Sequence, residues 1–237
     1  MSIAVGPDLI NTNLILHLDP ANPDCLRLGQ TTCINLVSGG LVTGAAGSPG
    51  SGPHTPNPAN FPAYSSINGG VFDFAGGRGM NCEEDLGFGT ELSLIVWFNK
   101  LNETGSTYLT DARAAGGYWL LTNYTSRNIS YNNTVSYNYT GTYQDTPPGF
   151  LNTWHMVALS LTSTSPGKLY IDGYEVSPYV DQQIASTVLG KNFRIGTRYT
   201  TSGQWQGYMG PILAYNRALS AQEIRQNYHA LRGRYGV

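Results

Sequence analysis

Residues Asn152–Val176 read NTWHMVALSLTSTSPGKLYIDGYEV. Two strand patterns and a tight return fill this stretch. His155, Val157, Leu159 and Leu161 fall on one face of the first strand, and Trp154, Met156, Ala158 and Ser160 on the other, because side chains alternate across a strand. Both faces carry apolar bulk, which predicts a strand buried on both sides. Thr162–Gly167 is a polar loop broken by Ser-Pro-Gly. Lys168–Asp172 is a second strand, with Leu169 and Ile171 on a common face. Asp172-Gly173 then supplies the positive φ angles of a type I′ hairpin turn, and Tyr174–Val176 returns. A doubly buried strand pair with a meander attached belongs in the middle of a sandwich.

The same period of two recurs along the chain. Leu14–Asp19 is a short strand stopped by Pro20, and Asn35–Val37 is read as a brief second one. In Gly70–Phe74, Val71 and Asp73 face one way, Phe72 and Phe74 the other. Glu91–Lys100 is the most apolar run; Leu92, Leu94, Val96 and Phe98 share a face opposite Ile95 and Trp97. Tyr108–Asp111, Tyr118–Leu121, Phe193–Gly196 and Gly207–Tyr215 complete the apolar strands, with Val188–Asn192 leading into Phe193. Between Asn123 and Tyr143 the texture changes to Tyr, Asn, Thr and Ser. The alternation of Val135, Tyr137 and Tyr139 against Ser136, Asn138 and Thr140 predicts half-exposed antiparallel strands there. Ser38–Asn60 reads as one long Gly/Pro/Ser/Thr loop, of a length that is either a surface excursion or functional. Helical spacing appears once. Ser220 is an N-cap, Glu223 completes a capping box, Ile224, Tyr228 and Leu231 share a face, and Gly233 is expected to close the helix.

The chain has 237 residues, 29 of them Gly, 13 Pro and 16 Tyr. This length suits one all-β domain spanning 1–237, with residues 1–12 as an N-terminal arm. Charged residues make up 12 % of the sequence, against roughly 25 % in an average soluble domain. The formal charge is −2, so no basic patch calls for nucleic acid or an anionic membrane. A sparsely charged surface fits a neutral soluble domain and equally a surface that packs against neighbours in an assembly. Cys25, Cys33 and Cys82 are an odd set with no zinc-ligand spacing. Cys25 and Cys33 could pair, but a reduced state is expected. MSIAVGPDLI has no basic region followed by an apolar run, so no signal peptide is expected, and no apolar stretch has the length of a membrane span.

Four segments carry a family resemblance. LILHLDPANP is similar to the opening strand and turn of the laminin-G-like branch of the concanavalin A-like lectin/glucanase superfamily. GGVFDFAGGRGM resembles its Phe-Asp-Gly strand. NTWHMVALSL with KLYIDGYEV resembles its Trp-His and Tyr-Ile-Asp-Gly hairpin. GYMGPILAYNRALSAQEIRQNYHALRGRYG resembles its final strand, Tyr-Asn-Arg-Ala-Leu-Ser turn and closing helix. The resemblance runs from near Asn13 to the end of the chain, and implies a two-sheet antiparallel jelly-roll sandwich with one short C-terminal helix. The arrangement as a whole, including MSIAVGPDLI and the RGRYGV ending, is similar to single-domain structural proteins of tailed bacteriophages, especially marine and cyanobacterial ones. That resemblance implies a chain made in a host cytoplasm and carried in the virion.

Catalytic constellations are sparse. Retaining glycosidases need two carboxyl groups about 5–5.5 Å apart. The glucanase relatives set Glu, Asp and Glu at alternate positions on one strand face. Here Glu83 and Asp85 alternate, but Gly87 stands third and the cluster lies in a Gly-rich turn region; capping or solvation is the expected role of Glu83, Glu84 and Asp85. His155, in the Trp-His pair, is expected to be structural, and His17, His54 and His229 have no nucleophile elbow beside them. Several laminin-G-like domains bind calcium. Asp73 and Asp111 are the acids such a site would draw on, yet no dense run of oxygen ligands surrounds them, and neither metal nor cofactor is expected. Sugars offer apolar ring faces and hydroxyls, which suit Tyr and Trp stacking and Asn hydrogen bonds. Tyr124, Tyr131 and Trp205 are the candidate glycan-binding residues. Five Asn-Xaa-Ser/Thr triplets, at Asn102, Asn123, Asn128, Asn132 and Asn138, follow from the Asn/Thr-rich composition.

The expected function is therefore a non-enzymatic virion structural protein, a capsid decoration or tail/fibre component. Its expected partners are other virion proteins and further copies of itself in a homo-oligomer, with no nucleic acid and no membrane. The alternatives are a module that recognises a host surface glycan and, third, a glycan hydrolase.

Overall fold

The computed structural model describes residues 7–45, 56–102, 107–112, 119–125, 128–131, 141–144, 150–162, 164, 167–176, 193–197 and 203–237. In chain order the strands begin with β1 (Leu14–Leu18), β2 (Thr32–Ile34), β3 (Leu41–Gly44), β4 (Ala63–Ser65) and β5 (Val71–Asp73). There follow β6 (Met80–Cys82), β7 (Leu92–Lys100), β8 (Thr107–Asp111), β9 (Trp119–Thr125), β10 (Asn128–Tyr131) and β11 (Gly141–Gln144). The last are β12 (Trp154–Leu161), β13 (Lys168–Ile171), β14 (Tyr174–Val176), β15 (Arg194–Ile195) and β16 (Gly207–Tyr215), before the helix α1 (Ala221–Tyr235). Two short 3₁₀ turns, Pro58–Asn60 and Ile67–Gly69, flank β4.

These strands form two antiparallel sheets. The first runs β14-β13-β12-β7-β16-β5-β4, with β1 also paired to β16; the second runs β11-β10-β9-β8-β15-β6-β3-β2. The sandwich interior takes Leu92, Leu94, Val96 and Phe98 from β7, Val157, Leu159 and Leu161 from β12, and Phe72 and Phe74 from β5 and its end. The second sheet supplies Val42, Met80, Cys82, Leu109 and Ile195. In β5, β7 and β12 the alternation read in the sequence is the alternation observed.

The opposite face of the first sheet is equally dry. Ile95, Trp97, Trp154, Met156, Ala158, Leu213 and Tyr215 form a second apolar cluster under α1, with Ile224, Tyr228 and Tyr235 of the helix. Trp97 stacks between two helix rings, Tyr228 at 5.7 Å and Tyr235 at 4.6 Å between centroids. Trp154 lies 4.3 Å from the Tyr235 ring. This explains why β7 and β12 are apolar on both faces: one face meets the second sheet and the other meets the helix.

Pro211 stands inside β16, where proline would break a ladder bond. A register shift between Met209 and Ile212 accommodates it. Beside it, a Cβ on Gly210 would fall 2.1 Å from the Tyr235 hydroxyl, so only glycine lets the helix end lie this close. The hairpin turn after β13 has Asp172 at φ 51° and Gly173 at φ 82°, as a type I′ turn requires.

Several boundaries differ from the sequence reading. The helix does not end at Gly233 but continues to Tyr235 and is capped by Gly236 in the left-handed conformation. Burial of Tyr235 against Trp97 and Trp154 rewards the extra turn. The second strand is Thr32–Ile34 rather than Asn35–Val37, because Asn35 turns its side chain inward as a polar pin described below. Part of the presumed long loop is a strand, β3, whose Val42 enters the core. Residues 135–140 and 188–192, read as strand or lead-in, lie outside the described residues.

The helix is held at both ends. Ser220 Oγ accepts from Glu223 N at 3.3 Å, and Glu223 Oε2 accepts from Ser220 N at 2.9 Å. Arg217 grips the same carboxylate, with Nη2 to Oε1 at 2.6 Å and Nη1 to Oε2 at 3.0 Å. At the far end Arg234 Nη1 binds Asp19 Oδ1 at 2.7 Å, Nε donates to Asn68 O, and Nη2 to Gly70 O. The arm residues dock on the helix and on the end of β16: Ile10 N donates to Asn227 Oδ1 at 2.9 Å, Tyr215 OH to Ile10 O at 2.8 Å, and Gln226 Nε2 to Asp8 O at 2.8 Å.

Replacing Trp97 with Ala removes the ring on which both helix tyrosines stack, and is expected to cost about 3–5 kcal/mol in urea unfolding. Arg217 holds the Glu223 carboxyl down at about 2, aided by the Ser220 bonds. A depressed carboxyl pKa stabilises the fold above the unfolded value, and that contribution fades as pH falls toward 2. Glu223→Gln is therefore expected to lower Tm by about 2–4 °C at pH 7. The gap to the parent protein should narrow steadily in melts between pH 5 and pH 2.

Candidate glycan-binding face

The helix covers the outer face of the first sheet, so the two sheets differ in chemistry on their outer sides. Across the second sheet a polar row runs perpendicular to the strands. Thr43 of β3 stands opposite Asn81 of β6, Asn81 opposite Arg194 of β15, and Arg194 opposite Asp111 of β8. The neighbours Val42, Met80, Cys82 and Ile195 point into the core, so the row faces outward. All four side chains are buried, Asp111 completely.

Buried polar groups need partners, and the row supplies some of its own. Glu83 Oε1, just past β6, accepts from Thr43 Oγ1 at 2.5 Å and from Asn81 Nδ2 at 3.4 Å. Asn81 Nδ2 also donates to Cys82 O at 3.1 Å. Arg194 lies between a carboxylate and an amide, where directly opposed residues interact most strongly. Among the described residues Asn81 Oδ1 has no partner. The row is thus a buried polar layer that brings an amide, a guanidinium and a carboxylate to adjacent strands.

The sheet order places β9 next to β8, and β10 and β11 beyond it. Tyr124 lies on β9 and Tyr131 ends β10, so both fall on the sheet that carries the polar row. Their backbone positions are described; their side chains lie outside the described residues.

Trp205 does not join them. Its side chain is fully buried in the sandwich core, edge-on to Phe98 at 5.5 Å, with Lys100 Nζ 5.8 Å from its ring. No sugar can stack on it there. Trp205 N donates to Gly196 O at 2.7 Å.

The acids weighed as catalysts hold turns and pins. Glu84 Oε1 accepts from Asn35 Nδ2 at 2.7 Å and Ser38 Oγ at 2.7 Å, and Asp85 Oδ1 accepts from Gly87 N at 3.0 Å. Asp73 Oδ1 accepts from Ala75 N at 2.9 Å, a turn role. Among the described residues no three His, Cys, Asp or Glu side chains converge as metal ligands. His155 Nδ1 meets Asp172 Oδ2 at 2.8 Å and Nε2 meets Thr153 Oγ1 at 2.9 Å, while Asp172 Oδ1 accepts from Met156 N at 2.8 Å. The ring packs edge-on to Phe150 at 5.1 Å. The histidine thus clamps the β13–β14 turn onto β12.

The Laminin G 3 family model, described as the concanavalin A-like lectin/glucanases superfamily, matches residues 77–225. The chain belongs to this superfamily. No curated protein matches it. Among solved structures, the concanavalin A-like chain is similar to Trypanosoma rangeli sialidase in complex with the inhibitor DANA, with TM-score 0.64 and 15% identity. That match covers 97% of this chain but 34% of the sialidase, so the present chain spans about a third of the enzyme's length. Domain 4 of AbnA, an extracellular GH43 arabinanase from Geobacillus stearothermophilus in complex with arabinotriose, matches with TM-score 0.61 and 15% identity. There the cover is 91% of this chain and 98% of that domain. The binding domain of botulinum neurotoxin DC, in complex with rat synaptotagmin II, matches with TM-score 0.57 and 11% identity, over 94% of this chain and 52% of that one. At these identities the likeness is one of fold.

Sequence reading missed Asn81 and Arg194. The signal was present: Arg194 sits between Phe193 and Ile195, both core residues, so alternation alone sends it outward. Trp205→Ala is expected to destabilise by about 3–5 kcal/mol, as for any buried aromatic. Trp205→Phe, which keeps an edge against Phe98, should leave any glycan affinity of the folded protein unchanged when the two are compared by isothermal titration.

Proposed function

We propose that the chain is a non-catalytic glycan-binding module whose ligand lies along the outer face of the second sheet. The observation that carries this reading is the chemical asymmetry of the sandwich. One outer face is apolar and sealed by α1, whereas the other bears Thr43, Asn81, Arg194 and Asp111 in a row beside the Tyr/Asn-rich strands β9–β11. In this reading the buried row orients the sheet, and Tyr124 and Tyr131 give the ligand aromatic surface. The match to domain 4 of the AbnA arabinanase, in complex with arabinotriose, supports a binding role for a fold of this size. The engagement of Glu84 and Asp85 in turns and pins supports a role without catalysis.

The place of action we propose is the particle of a tailed phage, as a decoration or tail component in several copies, touching other virion proteins. The sequence resemblance supports this, together with a surface poor in charge.

A glycan array that includes arabinan-type and bacterial surface polysaccharides tests the binding reading. Binding is expected, with a loss of about tenfold or more in Tyr124→Ala or Tyr131→Ala, given the usual worth of an aromatic contact. Asp111→Asn should weaken binding less, by loosening the floor. A featureless array with the folded protein, or sugar release abolished by Glu83→Gln, would overturn it. Mass spectrometry of purified virions tests the location.

A further inference from the structure

Cys25 and Cys33 bracket the connection that leads from β1 in the first sheet to β2 in the second. Both side chains are buried, and both belong to the sandwich core. The backbone brings them side by side: Ile34 N donates to Cys25 O at 2.9 Å, so Cys25 lies against the end of β2, where Cys33 points inward. The two are neighbours in the core cluster, and each shifts the other's titration. The chain between them is built from tight turns, with Leu26 N donating to Asn22 O and Gln30 N to Arg27 O. Arg27, Leu28, Gly29 and Gln30 at its tip are exposed. The third thiol, Cys82, lies two strands away from Cys33, with Val42 between them.

We propose that Cys25 and Cys33 are a dithiol modification site that closes to a disulfide by exchange with a small oxidised disulfide such as oxidised glutathione. The exchange takes two steps. Cys25 thiolate attacks one sulfur of the oxidised glutathione, its S–S bond breaks, and one glutathione leaves as thiolate. Cys33 sulfur then attacks Cys25 sulfur, displaces the second glutathione, and the two protein protons end on the two released glutathione thiols. The protein loses two electrons and two protons, and the glutathione disulfide gains them.

The division of labour follows from the surroundings. The neighbouring Cys33 thiol favours the Cys25 thiolate, which lowers its pKa, while burial pushes the Cys33 thiol well up and keeps it protonated until the mixed disulfide forms. Cys82 is buried completely and held as a thiol, with Glu84 and Glu83 adding to the effect of burial, so it stays out of the exchange. Access comes from opening of the exposed turn, not of the core strands. The bridge would fasten the β1–β2 connection to β2. The chain would be unbridged in a reducing compartment and locked in an oxidising one.

Native protein is incubated with oxidised glutathione, quenched with acid, and analysed by intact mass, peptide mapping and thiol titration in denaturant. The expected result is a loss of two hydrogens, a fall from three titratable thiols to one, and a Cys25–Cys33 peptide pair. Tm should rise by roughly 5 °C for a loop this short. Cys33→Ser should trap one glutathione on Cys25, and Cys82→Ser should bridge as the parent does. Three thiols persisting after prolonged incubation would overturn the proposal. So would a bridge involving Cys82, or a mixed disulfide on the parent protein that never resolves.

Discussion

The aromatic contact between Trp97 and the two helix tyrosines is the constraint on which the rest of the architecture leans. Without α1, the outer faces of β12, β7 and β16 would expose Trp97, Trp154, Met156 and Leu213 to water as one continuous apolar patch. A patch of that kind invites aggregation or pairing. The helix turns a two-layer sandwich into a locally three-layered one. Its landing point is set by several independent devices: the Arg217–Glu223 fork at its start, the Arg234–Asp19 pair at its end, and Gly210, whose missing side chain makes room for the Tyr235 hydroxyl. The docked arm adds a further tie, since Tyr215 OH accepts from Asn227 Nδ2 at 3.1 Å and donates to Ile10 O.

The two layers are also joined by a polar pin. Asn35 is completely buried, yet its side chain serves both sheets. Oδ1 accepts from His17 N at 2.9 Å and Val37 N at 3.1 Å; Nδ2 donates to Ile15 O at 2.8 Å and to Glu84. Ile15 and His17 are on β1 of the first sheet, and Asn35 follows β2 of the second. A buried amide with both ends satisfied stabilises and also specifies, because any shift in how β1 meets β2 would strand several donors and acceptors at once. The thiol pair at Cys25 and Cys33 lies in the same connection.

The two outer faces differ in chemistry: apolar side chains lie under the helix on the first sheet, and a buried polar row crosses the second. The row is buried and paired across strands, so its geometry is set by register. The three acids of the Glu83–Asp85 cluster bind different neighbours. Glu83 is bound to Thr43, Glu84 to Asn35, and Asp85 to the turn at Gly87.

The all-β class, the alternation in β5, β7 and β12, the Asp172-Gly173 turn and the Ser220–Glu223 capping box were all determined by sequence alone. Each depends on local periodicity or on a backbone conformation that few residues adopt. The tertiary structure decided what lies on each side of a doubly apolar strand, since periodicity reports burial but not the identity of the covering layer. It extended the helix past Gly233 because Tyr235 gains an aromatic pocket, an interaction with residues more than eighty positions away. It drew Trp205 into the core and lined up Thr43, Asn81, Arg194 and Asp111, which are scattered over the chain and meet only through strand register. Hydrogen-bond pairing between distant segments has no local signature, and the candidate binding face is made of such pairings.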